Sequence, residues 1–363
     1  MKRSYPLLIA LLLFALAVPT ASAGEYVVYS CKSPDGRPAP TDGWSATGST
    51  PFGTFGNDCA AGGSLHAELG GSSQPASTSF IGWGFDSGGA PIRGWTIHRS
   101  GRATAGGYNA TALLFSANAQ NDPGGGRMVD YCVTANGCQV LGVPSQGMAP
   151  ANQIRQSAST IGTDSRAWFI SVGCGSAFEG MCTPIAGATN LGSLAVHAAA
   201  FTLGDDSAPS AGGASGSLTE PGAVSGTINF TAQDTWSGIF RASLLVDGQP
   251  IVSSTPNENG GRCVTLGLAG ATRDFNYRRP CPATQQVELA LPPGSMVAGR
   301  HELRVTVEDA AGNTATAFGP RRVDVTKEQA TASSTATARF IPDKSGSFIT
   351  TFGMSKRIAG KLV

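Results

Sequence analysis

Two runs of alternating apolar residues, joined by a turn, limit what this chain can fold into. In Phe80-Ile81-Gly82-Trp83-Gly84-Phe85 the side chains of Ile81, Trp83 and Phe85 share a face, and in the run from Ile92 to Arg99 so do Trp95 and Ile97. Between the runs lies Asp86-Ser87-Gly88-Gly89-Ala90-Pro91, a cluster of turn formers. A period of two bounded by such residues specifies strands, because successive side chains on a strand point to opposite faces. The same signature recurs at 25–31, 64–69, 108–120, 128–133, 139–143, 166–174 and 194–203. The last of these is alanine-rich enough for a helix, but its neighbours favour a strand. Roughly nine strands and no clear amphipathic helix predict an all-β fold of two packed antiparallel sheets. A span of about 180 residues is long for an immunoglobulin-type sandwich and ordinary for a jelly roll.

The first 23 residues read as an export signal. Lys2 and Arg3 precede an apolar run from Leu7 to Val18, and Pro19-Thr20-Ala21-Ser22-Ala23 supplies small residues for cleavage after Ala23. The run is too short to span a bilayer comfortably, and no later segment approaches that length. The expected product is therefore secreted, with no transmembrane segment after cleavage. Eight cysteines fit an oxidising compartment, and they fall into neighbouring pairs: Cys31 with Cys59, Cys132 with Cys138, Cys174 with Cys182, Cys263 with Cys281. Loops this short, if closed as disulfides, stabilise by about 2–4 kcal/mol each in the chain-entropy account. Metal ligation is the weaker reading, since there is no CxxC pair and His66, His98, His197 and His301 are scattered. A net charge of +1 gives no reason to expect nucleic acid as a partner.

Composition divides the chain further. Residues 24–204 form the first β-sandwich, and 205–216 (DDSAPSAGGASG) reads as a linker. Residues 217–326 form a second β unit, 327–338 a second linker, and 339–363 the start of a third, incomplete β module. Within the second unit, DTWSGI (234–239), LLVDGQPI (244–251), LPPG (291–294) and HELRVTVEDAAGNTA (301–315) together resemble bacterial immunoglobulin-like domains. That resemblance implies a secreted or surface modular protein. The first unit, chiefly through APIRGWTIHRS (90–100), more loosely resembles the jelly-roll, concanavalin-like modules that precede such repeats.

Catalytic signatures are missing from the sequence. There is no G-x-S-x-G, P-loop, H-E-x-x-H or EF-hand loop. A glycosidase needs two carboxylates roughly 5–9 Å apart, but Glu68, Asp86, Asp130, Asp164 and Glu179 are isolated in sequence. The expectation is a non-enzymatic recognition or adhesion protein with no cofactor, taking a cell-surface or environmental glycan. The alternatives are an exported polysaccharide-active hydrolase with dispersed carboxylates, or a purely structural surface component. Trp95, His98 and Arg99 are the candidate ligand-binding residues, since an aromatic face stacks on a sugar ring while Arg and His reach hydroxyls. The same alternation also suits Trp83 and Trp95 as core. Asp205-Asp206 is a candidate calcium pair or, more simply, a solvated linker pair. Asp309 and Asn313 are expected to bond their own turn, and no metal site is assigned.

Overall fold

A computed structural model describes residues 24–331, apart from 49–52, 71–73, 76–79, 104, 107–110, 120–126, 134–137, 157–164, 175–180, 185–187, 256 and 268–272, together with 336–339 and 353–354. The expected signal segment and nearly all of the expected third module lie outside these residues. Among the described residues the chain is all-β, in several antiparallel sheets. Among the described residues no helix is long and apolar enough to cross a membrane.

In the first unit, a nine-stranded sheet is built around Ile92–Ala103, Gly192–Asp205 and Gly24–Lys32. A five-stranded sheet runs in the order Arg127–Val133, Thr111–Ala119, Ser165–Cys174, Phe80–Asp86, Trp44–Gly48. Phe80–Asp86 and Ile92–Ala103 are strands, as their alternation requires, but they do not pair with each other. The first pairs with Trp44–Gly48 and Ser165–Cys174, the second with Gly192–Asp205. The turn between them crosses from one sheet to the other, helped by Gly88 and Gly89 at φ of 75° and 102°. Their apolar faces meet across the core. Phe85 stacks on Phe201 with centroids 3.9 Å apart, and Trp168 packs against Trp44, Trp95 and Phe201.

Disulfides join Cys31 to Cys59, Cys132 to Cys138 and Cys263 to Cys281. Cys182 is also disulfide-bonded.

A small third sheet in the first unit joins Gln74–Pro75, Met181–Pro184 and Ala105–Gly106. The second unit has two sheets. One contains Ser210–Ser215, Gly226–Gln233, Thr284–Leu291, Ala336–Arg339 and Gly353–Met354; the other contains Gln249–Ser254, Ile239–Val246, Gly299–Asp309 and Thr314–Val325. The two stretches that read as linkers carry regular structure. Gly192–Asp205 extends into the first and Ser210–Ser215 is an edge strand, because the small residues there still pair their backbone with 229–233. In the second, Lys327–Thr331 is a helical turn and Ala336–Arg339 pairs with Glu288 and Leu289.

The two units interlock. Asp274–Phe275, from the second half, pairs in parallel with Val27 and Val28 of the first strand. Phe275 is fully buried between Tyr26 and Phe240, at 6.2 Å from each ring. Cys263–Cys281 braces this arm, and Phe240, Phe275, Ala310 and Ala311 belong to the same apolar cluster as Tyr26 and Phe201. Truncating a buried phenylalanine costs about 3–5 kcal/mol. Because Phe275 serves both halves, Phe275→Ala should lower the melting of the whole protein as one calorimetric transition. Two separate transitions with only one displaced would contradict the interlock.

Candidate functional site

The residues proposed from sequence as a glycan surface do not share an exposed face. Trp95 is 4% exposed and lies against Trp168, and Arg99 is 6% exposed. Arg99 forms an ion pair with Asp130 and donates from Nη1 to the carbonyls of Ala151 and Asn152. Residues 95, 97 and 99 point inward together, so the alternation that makes Trp95 core also commits Arg99 to an internal ion pair. His98 points to the other side, half-buried beside Gln153. Burial holds its imidazole below the ordinary value. This corrects the expectation for Trp95 and Arg99.

Chemistry gathers instead at the seam between the units, where the end of the Gly192–Asp205 strand meets the DTWSGI and DAAGN turns. Asp205, Asp234 and Asp309 are all buried, and one carboxylate oxygen from each lies within 4.8 Å of the others. Asp205 ends the Gly192–Asp205 strand. Its Oδ1 accepts from the backbone N–H and hydroxyl of Ser207 at 3.1 and 2.8 Å, and its Oδ2 from the same two groups of Ser237, also at 3.1 and 2.8 Å. The expected solvated pair is therefore half wrong. Asp205 is fully enclosed, and only Asp206 reaches water, where it pairs with Arg93 at 2.8 Å.

Asp234 shapes the turn of DTWSGI. Its Oδ2 accepts from the N–H groups of Trp236 at 3.1 Å and Gly238 at 2.6 Å. Gly238 has φ of 84°, and a Cβ there would sit 2.1 Å from the Cys281 carbonyl oxygen, so no other residue fits. Asp309 accepts from Asn313, backbone N–H at 2.9 Å and side-chain amide at 2.8 Å, closing the DAAGN turn. The Asn313 amide also donates to the carbonyls of Asp205 and Ser207.

A carboxylate oxygen has two lone pairs. Both oxygens of Asp205 are thus filled, and each oxygen of Asp309 retains one acceptor position. The Oδ1 of Asp234 is buried with no partner. Spare capacity for a cation or a proton therefore lies between Asp234 and Asp309. Burial, then repulsion from Asp205 and Asp234, raises the Asp309 carboxyl from 3.8 to about 7 against its bonds to Asn313. Asp234 is raised as well, chiefly by burial. Tyr26 is raised by burial and then by the charges of Asp205, Asp234 and Asp309.

In front of Tyr26 opens a cavity of about 280 Å³, lined by Tyr26, Trp236, Asp42, Arg262, Arg278 and Arg279 among others. Asp42 holds Arg278, accepting from its backbone N–H at 2.8 Å and its Nε at 3.3 Å. Arg278 also donates from Nη1 to the Asp86 carbonyl at 2.7 Å. Arg279 Nε donates to the Trp236 carbonyl at 3.3 Å, and the Arg262 guanidinium lies 3.9 Å over the Tyr277 ring. Three arginines and one aspartate thus line the cavity. The volume is at the small end of ligand pockets, and the mix of aromatic wall and a few fixed charges is what such pockets carry. No regular spacing announces the site, because its residues come from the first strand and five separate loops; RDFNYRRP (273–280) is its densest signal.

No protein-family model matches this chain, and no curated protein is similar to it in sequence.

The acid cluster has a measurable consequence. Between pH of about 4 and 7 the folded protein retains a proton on Asp309 that the unfolded chain has lost. That stabilisation is complete below the unfolded value of 3.8 and fades as pH rises through about 7. Urea unfolding should show a loss on the order of a few kcal/mol across this window. Asp309→Asn, whose amide can replace the proton, should flatten the curve. His301, raised by its bond to Asp247, titrates in both proteins and cancels in the comparison. Equal slopes for the two would refute the retained proton.

Proposed function

We propose that this is a secreted, non-catalytic recognition protein: a jelly-roll-like unit and an immunoglobulin-like unit locked together, with an acidic glycan bound at their junction. Two successive all-β units support the architecture, and the disulfides support an oxidising, extracellular setting. The observation that carries the ligand class is the junction cavity, where Arg262, Arg278 and Arg279 outnumber Asp42 beside the indole of Trp236. Guanidiniums match a carboxylate or sulfate in a fork of parallel hydrogen bonds, and an aromatic face takes the apolar side of a sugar ring. Neutral glycans satisfy only the second demand.

The test is retention on acidic against neutral polysaccharides, with oligouronates as the probe in calorimetry. Arg279→Gln, at an exposed guanidinium, should weaken oligouronate binding about tenfold, equivalent to roughly 1.4 kcal/mol, without lowering Tm. Binding should also weaken with salt. Trp95→Ala should destabilise the protein by about 3–5 kcal/mol rather than alter binding alone. No retention on any acidic polysaccharide would remove the glycan assignment. Release of reducing sugar would turn the reading towards a hydrolase.

A further inference from the structure

We propose that cleavage between Ala23 and Gly24 creates an α-ammonium group that docks against the buried acid cluster and closes the seam between the two units. This rests on the reading of residues 1–23 as an export signal, and it is independent of any glycan.

Gly24 opens the first strand and pairs in register with Asp205. Its nitrogen donates to Asn313 Oδ1 at 3.1 Å, and the other end of that amide donates to Asp309 Oδ2 and to the Asp205 carbonyl. One side-chain amide therefore separates the nitrogen from the acid cluster. No side chain can occupy position 24: a Cβ would lie 2.7 Å from the Ala311 carbonyl oxygen, 2.9 Å from the Ala311 Cβ and 2.9 Å from Asn313 Nδ2. The cleavage position expected from the small residues at 19–23 thus coincides with the one residue that fits this notch.

The cluster also wants a cation. Among the described residues, no lysine, arginine or histidine forms an ion pair with Asp205, Asp234 or Asp309. Buried charge without compensation is strongly unfavourable. Before cleavage, the Gly24 nitrogen is a neutral amide with a single hydrogen, already given to Asn313. Hydrolysis adds water across the Ala23–Gly24 peptide bond: the oxygen goes to the Ala23 carbonyl carbon as carboxylate, and the nitrogen leaves protonated. It then carries three hydrogens and a positive charge, one side-chain amide away from the Asp309 carboxylate. Opposite charge at this range favours the ammonium form.

The experiment compares chains with defined N-termini. One begins at Gly24 after removal of a fusion partner, and the other keeps Ser22 and Ala23 of the natural sequence ahead of Gly24. The Gly24 chain should melt roughly 2–4 °C higher. Its α-amine, followed by NMR with labelled glycine, should titrate above the ordinary value of about 8. The extended chain, and Asp309→Asn in the Gly24 chain, should bring that amine back towards the ordinary value. An amine at its ordinary value together with equal melting would overturn the docking. Intact mass of the protein exported by a bacterial host should begin at Gly24. A different first residue would overturn the processing step, whatever the purified chains show.

Discussion

Four hydrogen-bond donors converge on the carboxylate of Asp205, two from Ser207 and two from Ser237. Much of the seam depends on this arrangement. Asp205 is the last residue of a strand in the first unit's large sheet, while Ser237 belongs to the turn that follows Gly226–Gln233 in the second unit. A carboxylate this deeply enclosed is tolerable only when its lone pairs are filled. Ser237 continues the chain of contacts by accepting from the Ala311 N–H, and Ala310 donates to the Gly238 carbonyl. The two motif turns are therefore held against each other and against the end of the first unit.

Apolar packing reinforces the polar seam. Phe275 fills the space between Tyr26 and Phe240, and Tyr26 donates its hydroxyl to the Arg278 carbonyl at 2.6 Å. The arm that delivers Phe275 also delivers Arg278 and Arg279 to the cavity. One insertion thus builds both the joint and the candidate binding site. The cavity's walls come from strands and braced loops of both halves, which suits recognition by a preformed surface.

Much of the fold was legible in the sequence because strand alternation is a local signal. Ile81, Trp83 and Phe85 announce their inward face, and neighbouring cysteines announce three of the disulfides. The crossing between Phe80–Asp86 and Ile92–Ala103 was not legible, since alternation fixes a face and says nothing of which strand is the partner. Arg99 misled for a related reason: a charged residue on an apolar face looks like a wet edge until its partner, Asp130, is brought beside it by the fold. Asp205, Asp234 and Asp309 lie far apart in the chain, so only tertiary structure could assemble them. The Asp234 and Asp309 turns themselves were recognisable, and the sequence placed Asn313 correctly on the Asp309 turn.

The parallel pairing of Asp274–Phe275 with Val27–Val28 has a consequence for how the chain comes into being. The ribosome delivers the first sandwich complete in its own strands while the residues that finish its edge are still unmade. Until the arm arrives, Tyr26 and Val28 border an unfilled groove, with open backbone groups beside them of the kind that recruits stray strands. The edge of the first strand is therefore completed only by residues nearly 250 positions later in the chain.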